Sequence, residues 1–124
     1  MNVQKKILVV DDDEAVLDFL SAKLGASYAV IATNAPENVV SLAKKHLPDL
    51  IVCDVDMPDM DGGDVSAALW ADEDTRAIPM LFLTALASPP EIAATRGQIG
   101  GRAAISKRSP PAEMIARIKS LVEA

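Results

Sequence analysis

The sequence contains one cysteine, Cys53, which excludes an internal disulfide and any cysteine-rich metal site. Aromatic residues make up only 3% of it, so a core has to be built from Val, Ile, Leu, Ala and Met. No apolar run approaches the ~20 residues needed to span a bilayer, so no membrane partner is expected. Basic residues are outnumbered, with 12 Lys and Arg against 18 Asp and Glu, for a net charge of -6. An acidic surface repels phosphate backbones, which argues against direct nucleic-acid binding. Internal repeats, low-complexity tracts and an interdomain linker are also missing. The opening residues 1–6 have no signal-peptide pattern, and a soluble cytoplasmic domain is expected. Against these absences, half of the 124 residues are apolar and 24% are charged. That suffices for a real core and a single domain over residues 1–124.

Short apolar runs alternate with segments of helical period. Ile7-Leu8-Val9-Val10 and Leu50-Ile51-Val52-Cys53 are unbroken, as expected of strands covered on both faces. Residues 28–33, 79–84 and 103–106 supply three further strand candidates. Between them, Val16, Leu17, Leu20 and Leu24 form one helical stripe, with Gly25 as its stop. Asn34 is the expected cap of a second helix carrying Val39, Val40, Ala43 and Leu47, which Pro48 ends. A third helix is expected over 64–71. Ser88-Pro89-Pro90-Glu91 has the cap, prolines and acid of a fourth start, ended by Gly97, Gly100 and Gly101. Ser109-Pro110-Pro111 opens the last, with Met114, Ile115, Ile118, Leu121 and Val122 facing the core. Five strand–helix units in strict alternation imply a parallel sheet with helices on both faces.

In such a sheet, ligands bind beyond the carboxyl ends of the strands. Those positions are occupied by Asp11, Asp12 and Asp13 after the first strand, Asp54 after the third, Thr84 after the fourth and Lys107 after the fifth. Clustered carboxylates repel one another unless a cation shares the site, and a few hard oxygen ligands suit Mg²⁺. A carboxylate beside a metal can attack a phosphoryl group and form an acyl phosphate. Lys107 and Thr84 would then face the oxygens of the transferred group. Taken singly, each residue has an ordinary structural role: a helix cap, a turn former, a strand residue, a surface charge. Asp13 is assigned to capping. Their coincidence at successive strand ends is what single roles do not explain.

These residues resemble a family, the receiver domain of two-component response regulators, over essentially the whole chain. Ile7-Leu8-Val9-Val10-Asp11-Asp12-Asp13 is similar to its first strand and acidic pair. Residues 50–62, ending Met57-Pro58-Asp59-Met60-Asp61-Gly62, resemble its phosphoacceptor strand and loop. Phe82-Leu83-Thr84-Ala85 and Ser106-Lys107 resemble its two remaining strand ends. The resemblance implies a flavodoxin-like (βα)5 three-layer sandwich with a five-stranded parallel sheet of order 2-1-3-4-5. It implies that Asp54 accepts phosphoryl from a sensor histidine kinase or a histidine phosphotransfer protein. Asp12 and Asp54 would bind Mg²⁺ directly, the backbone carbonyl of Asp56 would add a ligand, and Asp11 would orient a metal-bound water. Thr84 would hydrogen-bond the phosphoryl group and Lys107 would pair with it. The only chemistry implied is self-phosphorylation and slow autodephosphorylation, not turnover of an external substrate. The downstream effector or fused output domain, and homodimerisation, are left open.

The chain departs from the family at two positions. Arg108 follows the lysine where proline is usual, so a trans bond or a reshaped loop is expected there. Ala104 stands where a Tyr or Phe usually moves with the hydroxyl residue. A muted response at the face of the fourth helix, fifth strand and fifth helix is therefore expected. Two other functions compete: a phosphorylation-independent pseudo-receiver, and a phosphatase of haloacid dehalogenase type, for which Asp54-Val55-Asp56 would be the acid pair. Cys53 is read as a small buried hydrophobe, His46 as a helix-end charge, Met57 and Met60 as packing, and Trp70 as partly buried.

Overall fold

In the computed structural model, which describes residues 4–57, 60–99 and 101–124, the apolar runs become the central strands of one sheet. β1 (Lys6–Val10), β3 (Leu50–Asp54) and β4 (Met80–Thr84) are buried along almost their whole length. Helices cover both faces of the sheet, so neither face needs polar side chains. β2 (Ala29–Thr33) lies at one edge, β5 (Gln98–Ile99) at the other, and β6 (Arg102–Ser106) just inside β5. The helices are α1 (Glu14–Leu24), α2 (Val39–His46), α3 (Gly62–Ala71), α4 (Pro89–Ala94) and α5 (Pro111–Glu123).

The strand order is β2-β1-β3-β4-β6-β5. The first four pairings are parallel, so the expected 2-1-3-4-5 order is intact with β6 as its fifth strand. The sixth strand, β5, was not expected; it pairs antiparallel with β6 through Ile99↔Arg102. Gly101, at φ 80, makes the left-handed turn that such a hairpin needs. A Gly-Gly pair between Ile99 and Arg102 is a hairpin signal, although it also reads as helix-ending punctuation.

Alternation along the strands divides the core in two. Ile7, Val9, Leu50, Val52, Leu81 and Leu83 face α1 and α5, where Leu17, Leu20, Leu24, Met114, Ile118 and Val122 meet them. Leu8, Val10, Ile51, Cys53, Met80 and Phe82 face the other way, onto Val39, Ala43, Val65, Leu69 and Ile92 of α2, α3 and α4. Met57 is buried in this second cluster and Met60 packs at its margin. Ala104 belongs to it as well, paired in register with Phe82. The aromatic in this part of the core therefore comes from β4 rather than β6.

Asp13 caps α1 by accepting from the Ala15 amide, and Ser88 and Glu91 form the expected capping box on α4. A second box, Asp61 with Asp64, starts α3 at Gly62, two residues before the expected position. Asn34 does not cap α2. Its amide donates to Glu14 Oε1 at 2.7 Å, and the chain enters α2 through a 3-10 turn over Pro36–Asn38. Leu47 does not join the apolar face: with Pro48 barring a further turn, it closes α2 in the left-handed region and is 59% exposed. Trp70 is 60% exposed rather than partly buried, and the Arg76 guanidinium lies 5.7 Å from its ring centroid. Gly25 ends α1 in right-handed geometry; an added Cβ would lie 2.6 Å from the Ser21 carbonyl oxygen. The Lys107–Arg108 bond is trans. Pro58 and Asp59 of the loop motif, and Gly100, lie outside the described residues.

Candidate functional site

The sheet order brings the acidic strand ends together. β1 and β3 are neighbours with Val10 level with Cys53, so the residues that follow, Asp11 and Asp54, emerge side by side. This is the switch point of the sheet, where crossovers on either side leave a crevice. Thr84 is level with Ser106 across β4 and β6, and the Lys107 amide donates to the Thr84 carbonyl at 2.7 Å. Lys107 is thereby held at the same rim.

Side-chain parity then decides what meets what. Asp11, Asp54 and Lys107 continue the positions of Val9, Val52 and Ile105, and all three turn toward the α1 and α5 side. Lys107 Nζ lies 2.8 Å from Asp11 Oδ2 and 3.3 Å from Asp54 Oδ1. Asp11 is fully buried and Asp54 is 2% exposed. Asp12, one position on, is exposed at the mouth. One carboxylate oxygen from each of Asp11, Asp12 and Asp54 lies within 4.8 Å of the others.

Thr84 has the opposite parity, that of Phe82, and turns toward the α3 and α4 side. Its hydroxyl donates to Asp56 Oδ2 at 3.3 Å and accepts from the Leu86 amide at 3.1 Å. The Ala85 amide donates to the same Asp56 oxygen, also at 3.3 Å. Among the described residues Thr84 makes no hydrogen bond to Asp54. The Asp56 carboxylate lies outside the Asp11, Asp12 and Asp54 cluster, while its own amide donates to Asp54 Oδ1 at 3.1 Å. The bond from Asp56 to Thr84 was not foreseen; Thr84's strand parity is the signal that could have revealed it.

Two buried carboxylates share one ammonium, with the Asp12 carboxylate close by, and the consequences show in the titration of Asp54 and Lys107. Burial pushes the Asp54 carboxyl up to about 6; the Asp56 amide pulls it down, the Asp11 charge raises it further and Lys107 opposes both. Burial alone would lower the Lys107 pKa, but Asp11 and Asp54 outweigh it and the net shift is upward. Asp11 Oδ2 is buried with no hydrogen bond among the described residues, facing only the Lys107 ion pair. Unspent negative charge on a few hard oxygens fits a small divalent cation such as Mg²⁺. Cys53, just below, is buried and its thiol is pushed up to about 12, so it stays an inert hydrophobe.

A stability prediction follows from the raised Asp54 pKa. Its folded value near 6 exceeds the ordinary 3.8, so its contribution to stability is complete below 3.8 and lost as pH rises through 6. At pH 7 the ionised side chain opposes folding. Asp54→Asn is expected to stabilise the metal-free protein there by roughly 1 kcal/mol, after discounting for solvent screening. Urea unfolding at pH 7 and at pH 4 measures this, and the gain should disappear at the lower pH.

The family model for the response regulator receiver domain matches residues 7–119. The chain is 34% identical to the polar-differentiation response regulator DivK of Brucella ovis over 117 residues, 94% of each protein. It is 46% identical over 83 residues to the response regulator PleD of Caulobacter vibrioides, covering 65% of this chain and 18% of PleD. Among solved structures, a putative response regulator from Chloroflexus aurantiacus superposes with a TM-score of 0.80 at 30% identity, over 98% of this chain and 100% of that one. The chemotaxis protein CheY4 of Vibrio cholerae gives 0.79 at 26% identity, over 96% and 99%. The chain thus spans 94% of DivK but under a fifth of PleD. Among the described residues, no helix is long and apolar enough to cross a membrane.

Proposed function

Because the chain belongs to the response regulator receiver domain family, we propose that it is a phosphoacceptor module in which Asp54 takes a phosphoryl group in an Mg²⁺-dependent step. The observation that carries this is the setting of Asp54: 2% exposed, within 4.8 Å of two further carboxylate oxygens, and 3.3 Å from Lys107. The family implies a histidine kinase as partner, and the donor is read as that kinase or a histidine phosphotransfer protein.

An Asp54 carboxylate oxygen attacks phosphorus, and the bond from phosphorus to the donor breaks, its electron pair leaving with the donor. The product is an acyl phosphate. Hydrolysis by water at phosphorus returns the carboxylate and releases phosphate. Lys107 stands beside Asp54 and offsets charge on the transferred oxygens. Asp12, Asp54 and the backbone carbonyl of Asp56 would hold Mg²⁺, with Asp11 orienting a water on it. Bound there, the ion would supply charge neutralisation for the transferred group. Thr84 and Ala85 are the hydrogen-bond donors on the far side.

Incubation with acetyl phosphate or phosphoramidate and Mg²⁺ is expected to add one base-labile phosphoryl group, and omission of Mg²⁺ to prevent it. Intact-protein mass spectrometry reads both. No uptake with Mg²⁺ present would instead favour a phosphorylation-independent binding domain. Steady release of phosphate from a small phosphate ester would favour a phosphatase.

A further inference from the structure

We infer that the Asp56 carboxylate occupies the hydrogen-bond donors meant for the phosphoryl group, so that phosphoryl uptake must evict it. This rests on the reading of Asp54 as phosphoacceptor. A single oxygen, Asp56 Oδ2, accepts from both the Thr84 hydroxyl and the Ala85 amide, each at 3.3 Å. Two donors at the end of β4 converging on one anionic oxygen is how a phosphoryl oxygen on Asp54 would be bound. The Asp56 amide donates to Asp54 Oδ1 at 3.1 Å, so one short turn holds the Asp56 carboxylate close to the phosphoacceptor.

Eviction has two costs: two charge-assisted hydrogen bonds are given up, and a doubly charged group is brought beside a carboxylate. Both bonds are long and Asp56 is exposed, so the barrier is modest and reversible. Asp56 is thus a positioning residue. It holds Thr84 and the 84–86 segment in place until the phosphoryl group replaces it. Substitution should leave the fold intact, because the side chain is exposed and buries no apolar surface.

The test uses Asp56→Ala and Asp56→Asn with beryllofluoride as the phosphoryl probe, at saturating Mg²⁺. Without Mg²⁺ or beryllofluoride, the Ala85 amide resonance should move upfield in Asp56→Ala and by less in Asp56→Asn, which keeps one acceptor oxygen. With beryllofluoride, both variants should bind about three- to tenfold tighter than the parent chain. A purely structural role would neither move the Ala85 resonance in this graded order nor tighten beryllofluoride binding in both variants. Unchanged or weaker beryllofluoride binding in both variants, or an unmoved Ala85 resonance, overturns the inference. Failure of the parent chain to bind beryllofluoride, with Asp54→Asn behaving identically, overturns the phosphoacceptor reading itself.

Discussion

Lys107→Ala is expected to slow phosphoryl uptake from acetyl phosphate by about a hundredfold, the scale of losing one preorganised positive group at a reacting oxyanion. The site of attachment should not change, because in the proposed step the nucleophile is the Asp54 carboxylate and the ammonium only faces it at 3.3 Å. The same substitution should weaken the metal-free protein. Asp11 is fully buried, its Oδ2 lies 2.8 Å from Lys107 Nζ, and that atom has no hydrogen bond among the described residues. Removing the cation leaves Asp11 and Asp54 facing each other uncompensated, a loss of about 2–3 kcal/mol, because Lys107 keeps some contact with solvent. A sufficient concentration of Mg²⁺ should restore much of that stability without restoring the rate. Unfolding curves with and without the ion, beside single-turnover labelling, separate the two effects.

Mg²⁺ itself should stabilise the parent chain. A ligand bound only by the folded state adds RT ln(1 + [L]/Kd), about 1.4 kcal/mol at ten times Kd. Asp12→Ala should abolish most of this gain. Asp12 is exposed and takes little part in the metal-free ion pairs, so its loss should leave the metal-free melting temperature nearly unchanged. The contrast with Asp54→Asn is informative, since that variant should start more stable and respond less. Thermal unfolding is the suitable probe, because Trp70 lies exposed on α3 and would report the site poorly. An equal upward shift in Asp12→Ala would place the ion elsewhere.

Most of the arrangement was legible in the sequence because two periodicities are strong here. Unbroken apolar tetrads at 7–10 and 50–53 can be satisfied only by strands covered on both faces, and the acids that end them inherit a shared rim from the parallel sheet. Met114, Ile118 and Val122 mark the buried face of α5 in the same way. Local competition hid the rest. Asn34 has the chemistry of a cap but finds the Glu14 carboxylate first. Leu47 is apolar, yet Pro48 ends the helix before its side chain can reach the core. The β5 hairpin is encoded in two glycines that serve equally well to end a helix. Thr84 reads from the sequence as a donor to a phosphoryl group, whereas its hydroxyl meets the Asp56 carboxylate first. Pairings that depend on one side chain choosing among several partners need coordinates; those that depend on a repeated pattern do not.

Ala104 illustrates the same division. From sequence it is a missing aromatic; in the fold it is a buried small residue opposite Phe82, whose ring lies in the same apolar cluster. The site residues themselves do not depend on it. The acids and Lys107 are set by strand register and parity, which Ala104 leaves unaltered.

The central claim is that Asp54 is the residue that bonds to phosphorus, and locating that bond tests it most directly. Parent chain and Asp54→Asn are incubated side by side with acetyl phosphate and Mg²⁺, and the labelled peptide is identified by mass spectrometry after borohydride trapping of the acyl phosphate. One phosphoryl group on Asp54 in the parent chain, and none in Asp54→Asn, is the predicted result. Label persisting in Asp54→Asn, or trapped at Asp11, Asp12 or Asp56 in the parent chain, would contradict it.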